Sequence, residues 1–344
     1  MKIMVGIDLH SNNAMCGLMD LEGKRLLHKK VPCRLSKVVE LLDPFKERIE
    51  RVAVESTFNW YWLVDGLQDR GYPVVLANPA KIVQYEGLKQ ADDKSDAYHL
   101  AELLRLGILP EGHIYDRNSR PVRDALRRRL GLVQKRTALY LSFESLCART
   151  LGVKLSLKVL KKLSAQEASR MFSHRFDQLV AREQIELIGR LSQSIELIER
   201  EVLGVASKLP YYRRLLTLPG IGVILALTIT LETGPIERFA SAGDYASYCR
   251  CVESQRLSNG KAKGRNNGKC GNKYLGWAFV EGSNFARRYD APSRQFHDRK
   301  ESQTNPIVAT KALACKLSKA AWHVMSEDVN YDPKRVFPGL SKKK

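Results

Sequence analysis

The sequence predicts an α/β front domain followed by an all-α remainder, and three observations carry that reading. Over residues 1–116, short runs of β-branched and small apolar residues alternate with helix-like periodicities. From residue 117 onward the apolar positions recur mainly at helical spacing. The charge divides along the same line: residues 1–116 hold 15 Lys and Arg against 17 Asp and Glu, whereas residues 256–344 hold 19 against 7, in a chain of net charge +20. A neutral front and a basic back suit a protein in which one part does chemistry and the rest grips phosphate.

A chain of 344 residues and 39.0 kDa has room for more than one core. The pattern divides it into a front domain at 1–116, a helical linker or coiled coil at 117–215, and a mostly helical back domain at 216–344. Hydrophobic content of 44% and charged content of 27% are those of an ordinary soluble chain. No apolar run reaches the ~18–20 residues a bilayer span needs, and Met1-Lys2 leads directly into a strand, so a cytoplasmic protein with no membrane partner is expected. Seven cysteines at irregular spacing, with no Cys-x-x-Cys pair, argue against a disulfide framework or a zinc site.

The first element is the run from Ile3 to Leu9, read as a buried central strand with Asp8 near its end. Alternation over 14–19, turn residues at 20–24 and a further alternating run to Val31 extend it into a three-strand meander. Ser36 is the expected N-cap of a helix over 38–45. Residues 51–55 read as a fourth strand, 61–70 as a helix and 73–77 as a fifth strand, with Asn78-Pro79 as a loop signal before the next helix. Three antiparallel strands followed by alternating helix and strand is the order of the ribonuclease H fold, in which the first and fourth strands lie side by side.

That adjacency brings Asp8 towards Glu55. Downstream, Asp92-Asp93-Lys94-Ser95-Asp96-Ala97 opens a helix continuing through Leu100, Leu103 and Leu104, with Asp93 and Asp96 on one face of its first turn. A carboxylate at the end of a buried strand needs a partner, a metal or a raised pKa. Four carboxylates from three elements can hold hard divalent ions and leave positions open for phosphate and water. Asp92 competes with Asp93 for the same place. Beside the acids, Ser56 to Trp62 mixes polar and aromatic groups that can touch a sugar-phosphate backbone or stack on a base.

In the middle, residues 119–124 open a long basic helix carrying Arg127-Arg128-Arg129 and Lys135-Arg136. Arg127 and Arg128 are candidate phosphate contacts, with a solvated face as the plainer reading. From Ile188, the positions Leu191, Ile195, Ile198 and Val202 form a short heptad seam that packs within the chain or against another subunit, the second being favoured.

In the back, Leu218-Pro219-Gly220-Ile221-Gly222-Val223 precedes an apolar helix and is similar to a helix-hairpin-helix turn, whose Gly220 and Gly222 would expose N–H groups to a phosphate. The stretch 248–275 is rich in Gly, Asn and cations and is expected to be a mobile loop. Within it Ser258 stands among Arg256, Lys261, Lys263, Arg265, Lys269 and Lys273, a surround that would hold a phosphodiester and favour attack by a hydroxyl. Residues 276–288 and 310–325 read as closing helices, and the Lys342-Lys343-Lys344 tail as disordered.

Taken in order, Gly6-Ile7-Asp8, Val54-Glu55, Asp93-Lys94-Ser95-Asp96-Ala97, Leu218-Pro219-Gly220-Ile221-Gly222, Ser258-Asn259-Gly260-Lys261 and Lys269-Cys270-Gly271-Asn272-Lys273-Tyr274-Leu275 resemble the DEDD insertion-sequence transposases, the IS-one-ten family, and its IS-eleven-eleven subgroup. The similarity runs over nearly the whole length. It implies a RuvC-like front domain of the ribonuclease H fold whose acids Asp8, Glu55, Asp93 and Asp96 bind two Mg²⁺ ions, with Mn²⁺ as a substitute. It implies a C-terminal transposase domain in which Ser258 is the nucleophile. The activity so implied is site-specific recombination of donor and target duplex DNA through a phosphoserine intermediate, at the bacterial nucleoid. It further implies a homo-oligomer, dimer or tetramer, in which the front domain of one protomer meets the back domain of another, guided by a structured noncoding bridge-type RNA. In this chain Asn259 stands between Ser258 and Gly260, where many relatives have Gly directly after the serine, and Ser254 is a rival nucleophile.

Two other readings use the same residues. A RuvC-like endonuclease or Holliday-junction resolvase would attack with water and leave no protein on the DNA. A non-catalytic nucleic-acid-binding protein would be indifferent to Mg²⁺.

Overall fold

The computed structural model describes residues 1–82, 93–252, 255–258, 261–265 and 270–339, and for 93–95, 255–258 and 261–265 it describes the backbone alone. The chain divides into two compact units, Met1–Tyr115 with Gln255–Cys270, and Asp116–Ser254 with Gly271–Lys344.

The first unit is built on a mixed sheet of strand order β3-β2-β1-β4-β5-β6. β1 (Ile3–Leu9) pairs antiparallel with β2 (Asn13–Asp20) and parallel with β4 (Ile49–Glu55). β3 (Arg25–Pro32) closes the meander, β5 (Val74–Ala77) lies parallel to β4, and the two-residue β6 (Glu111–Gly112) runs antiparallel to β5. This is the strand order of the ribonuclease H fold. β1 is buried along its whole length, as an unbroken apolar run with both faces covered requires.

Period-two alternation then sorts the side chains. Ile3, Val5, Ile7 and Leu9, with Val52 and Val54, point to the face covered by α1 (Leu35–Leu42) and α2 (Tyr61–Gln68), where Val38, Leu42, Leu63, Val64 and Leu67 complete the cluster. Met4 and Ala53 point to the opposite face, against Leu100, Leu103 and Leu104 of α3 (Asp93–Arg105). Asp8 follows Met4 and Gly6 in the same alternation, and Glu55 follows Ala53, so both acids project from the α3 side. The α1 N-cap is Arg34, two residues before the expected Ser36, and it makes no side-chain cap.

Two glycines set how closely α3 approaches. Gly6 and Gly17 face each other across β1 and β2. A Cβ at Gly6 would lie 2.0 Å from the Ala97 carbonyl oxygen, and one at Gly17 would lie 3.1 Å from the Tyr98 amide nitrogen. With no side chain at either position, the α3 backbone rests directly on the sheet.

In the second unit α4 (Ser119–Leu151) and α7 (Arg175–Ala206) run antiparallel, since Phe143 shares a cluster with Ile185 and Leu126 with Val202. The short α5 (Leu157–Leu160) and α6 (Ala165–Arg170) pack Leu160 and Ala168 into the first of these clusters. α8 (Tyr212–Leu215), α9 (Val223–Thr233), α10 (Ala242–Tyr248), α11 (Lys273–Tyr289), α12 (Ala291–Gln303), α13 (Pro306–Ser326) and α14 (Pro333–Val336) surround a further core that includes Leu225, Phe279 and Leu317. α9 also packs Leu227 and Leu231 with Leu126 of α4 and Val202 of α7, so one apolar cluster draws on residues from both sides of residue 215.

The heptad seam is filled inside the chain: Ile188, Ile195 and Val202 are buried, and Ile188 and Val202 share clusters with α4 residues. At the expected helix-hairpin-helix turn, Gly220 adopts φ 75° and a Cβ there would meet the Gly282 carbonyl oxygen at 2.0 Å, so this glycine serves close packing on α11. Gly222, the N-cap position of α9, faces open space. The stretch expected as a loop contains an antiparallel hairpin, β7 (Gln255–Ser258) and β8 (Lys261–Arg265), in which Ser258 pairs with Lys261 at the turn. Among the described residues no helix is long and apolar enough to cross a membrane. The lysine tail lies outside the described residues.

Candidate active site

The site is assembled from strand ends. Ile7 of β1 pairs in register with Val54 of β4, which sets Asp8 beside Glu55 at the same edge of the sheet. Asp8 is 3% exposed, and its Oδ2 lies 3.0 Å from Nε2 of His10. Asn59 donates from Nδ2 to the His10 carbonyl at 3.0 Å and is itself held by the Thr57 hydroxyl at 2.9 Å, so the segment after Glu55 is tied back to the end of β1. α3, seated on the Gly6–Gly17 pair, presents Asp96 from its first turn.

Glu55 reports the crowding. Burial pushes its carboxyl up to about 8, aided by a hydrogen bond to Asp8 and by the negative charges of Asp8 and Asp96. Glu55 therefore keeps its proton at neutral pH, in its hydrogen bond with Asp8. Hard oxygen donors that crowd until they hold a proton between them fit a divalent cation, which would replace that proton and relieve the repulsion. Asp8, Glu55 and Asp96 are the described residues that would hold it. Asp93 is the first residue of α3, one turn before Asp96, and its side chain lies outside the description, as does all of Asp92.

Phe58, three residues beyond Glu55, is 84% exposed, whereas Trp60 is buried at the start of α2. The aromatic cluster read from the sequence thus separates into a packing residue and a free ring face.

The basic residues separate in the same way. Arg127 donates to Glu232 of α9 from Nη2 at 2.7 Å, and its guanidinium lies 4.3 Å from the centroid of the Tyr274 ring. Arg129 donates to Glu199 of α7 at 2.7 Å. The structure thus gives Arg127 a buried carboxylate where a phosphate was expected, while Arg128, between the two, is exposed. Lys273 is exposed at the start of α11. Arg256, Lys261, Lys263 and Arg265 lie on the hairpin strands with their side chains outside the description, as is that of Ser258, and Ser254 and Lys269 lie outside it altogether.

Sequence reasoning did not single out His10, Glu232, Arg123 or Asn272. A lone acid closing the otherwise apolar run Val223 to Leu231 was the available signal for Glu232, because a buried carboxylate needs partners.

Residues 5–149 match a family of DEDD transposases of the IS110 type, described as transposase, and residues 212–298 match the transposase family IS116/IS110/IS902. A probable family 20 transposase of Pseudomonas aeruginosa is 24% identical over 322 residues, covering 89% of this chain and 93% of the relative. A transposase for insertion sequence element IS1328 of Yersinia enterocolitica is 24% identical over 339 residues, covering 94% and 97%. Among solved structures, T. thermophilus RuvC in complex with a Holliday junction substrate matches at 19% identity with a TM-score of 0.24, covering 33% of this chain and 100% of that one.

Proposed function

The chain belongs to the IS110 family of DEDD insertion-sequence transposases, and from that premise we propose that it recombines donor and target duplex DNA through a covalent link to Ser258. The observation that carries this reading is that Asp8 and Glu55 stand side by side at one edge of the sheet, where burial, the hydrogen bond to Asp8 and the charges of Asp8 and Asp96 push Glu55 up to about 8. Asp8, Glu55, Asp96 and, by its place in the family motif, Asp93 hold Mg²⁺, most simply as two ions, and Mn²⁺ would serve in its place. Bound there, the metal supplies positive charge to the non-bridging oxygens of the scissile phosphate.

The chain's own residues do the rest. The Ser258 oxygen forms a bond to phosphorus, the bond from phosphorus to one deoxyribose oxygen breaks, and the serine proton passes through solvent to the leaving oxygen. Strand exchange followed by the reverse step reseals the DNA without hydrolysis. The exposed ring of Phe58 stacks on a base flanking the scissile phosphate, and Arg128 and Lys273 contact backbone phosphates. A noncoding RNA from the element's flank pairs with both duplexes, and a homo-oligomer holds them, since two duplexes must be cut together. The net charge of +20 supports a protein that carries this much nucleic acid.

The test is an adduct assay. Purified protein, RNA transcribed from the DNA flanking its gene, labelled donor and target duplexes and Mg²⁺ are mixed and run on a denaturing gel beside Ser258→Ala and Asp8→Ala. A labelled protein band absent in both variants is the expected result. Cleaved DNA without an adduct would replace this reading with hydrolysis, and an adduct surviving Ser258→Ala would transfer the role to another residue, Ser254 first.

A further inference from the structure

Glu232, 2% exposed at the end of α9, gathers three helices of the second unit. Its Oε2 accepts from Nη2 of Arg127 at 2.7 Å and from Nε of Arg123 at 3.2 Å, both on α4. The same oxygen accepts from Nδ2 of Asn272 at 2.7 Å. Burial alone would push this carboxyl up, yet Arg127, Arg123 and Asn272 outweigh it and hold it below the usual range.

Asn272 is the informative partner, because it uses both ends of its amide. While Nδ2 reaches Glu232, Oδ1 caps α11 by accepting from the backbone of Tyr274 at 2.9 Å and of Leu275 at 3.2 Å. Its own amide donates to the Tyr248 carbonyl at 2.6 Å. Tyr248 ends α10 and Asn272 precedes α11, so the two bracket the excursion that carries Ser258. The bracket is tight: Gly271 has φ 80°, a Cβ on it would lie 2.5 Å from the Tyr248 carbonyl oxygen, and Arg250 donates to the Gly271 carbonyl at 3.2 Å. Tyr248 and Arg250 are therefore pinned to Gly271 and Asn272 inside the helical unit, and that pin is joined through Glu232 to the long helix α4.

A buried cluster of charges holds helices together no better than packed apolar side chains would. What it adds is direction, since each hydrogen bond fixes an orientation as well as a distance. We propose that Glu232, Arg127 and Asn272 are positioning residues for strand transfer, holding together Tyr248 and Asn272, the two ends of the chain segment that carries Ser258. The inference rests on the reading of Ser258 as nucleophile.

The experiment uses the full-length protein with the RNA, duplexes and Mg²⁺ of the adduct assay. It measures the single-turnover rate of adduct formation at saturating DNA, the DNA dissociation constant and the melting temperature. Asn272→Asp keeps the helix cap but sets a carboxylate against Glu232. Glu232→Gln keeps an acceptor for the arginines but sets an amide against the amide of Asn272. Each single variant is expected to slow adduct formation by about tenfold or more while the DNA dissociation constant stays within about twofold, because small misplacements of a reacting group cost rate and leave binding alone. Single variants that melt earlier yet react at the wild-type rate would make the network purely structural and overturn the proposal. An adduct that survives Ser258→Ala would remove the nucleophile reading, and this proposal with it; an adduct lost in Ser258→Ala but formed normally by both single variants would remove the positioning role alone.

Discussion

Glu55 is a half-buried carboxylate and Glu232 a buried one, and they are displaced in opposite directions. Glu55 has other acids for neighbours and is pushed up to about 8, whereas Glu232 has two arginines and an amide and is held below its ordinary value. The difference lies in what each fold places nearby. In the first unit the strand ends bring like charges together and leave the imbalance for something outside the chain to neutralise. In the second unit the chain neutralises its own buried charge. An unbalanced cluster marks a place where a ligand acts, and a balanced one marks a place where the chain fixes its own geometry.

That contrast can be broken or sharpened by experiment. Asp8→Ala or Glu55→Gln should lower adduct formation by roughly a thousandfold, since each removes charge that holds the metal, while the melting temperature without Mg²⁺ stays level or rises. A large fall in melting temperature would mean that these acids are structural after all. Glu232→Ala should do the reverse to stability, costing about 3–5 kcal/mol in denaturant unfolding because the buried Arg123 and the partly buried Arg127 lose their partner. A cost near zero would put Glu232 in the same class as Glu55.

The pH dependence should also differ in sign. A carboxyl whose folded value is raised favours the fold most below its unfolded value of 4.5, and that contribution is lost as pH rises towards about 8. In EDTA, stability should therefore decline across this range, Glu55→Gln should flatten the decline, and added Mg²⁺ should stabilise more at pH 8 than at pH 5. Glu232, held below 4.5, contributes fully above that value and loses its contribution only as pH falls through its lowered folded value. Thermal melts across the two ranges, with Glu55→Gln and Glu232→Gln as controls, check both signs.

Smaller effects separate the exposed contacts from the buried ones. Phe58→Ala should cost about 1–3 kcal/mol of DNA affinity by fluorescence anisotropy, the value of one stacked base. Arg128→Ala should lower the slope of log affinity against log salt by about one, the signature of a single phosphate contact. If Arg127→Ala lowered that slope equally, its place on Glu232 would not describe the DNA-bound protein.

How far the sequence could be read followed the range of the interaction. β1 and β4 were legible because runs of β-branched and small apolar residues, Ile3 to Ile7 and Val52 to Val54, have few other places to go, and the order of elements then set Asp8 beside Glu55. Gly6 and Gly17 were silent, since a missing side chain does not say what will approach it. The hairpin at Ser258 went unread because Gly, Asn and Lys carry weak strand preference. The heptad seam showed an apolar face but not its partner, and α4 filled it from within the chain. Arg127 was the sharpest case: a guanidinium presents the same donors to a phosphate and to a carboxylate, and Glu232 lies 105 residues away.

By itself, then, the sequence determined the strand order, the long helices and the basic balance of the back of the chain, all of which follow from local pattern and composition. Only the tertiary structure decided which charges meet each other. Pairing depends on distance in space, and a side chain's chemistry does not record which distant segment the fold will bring against it.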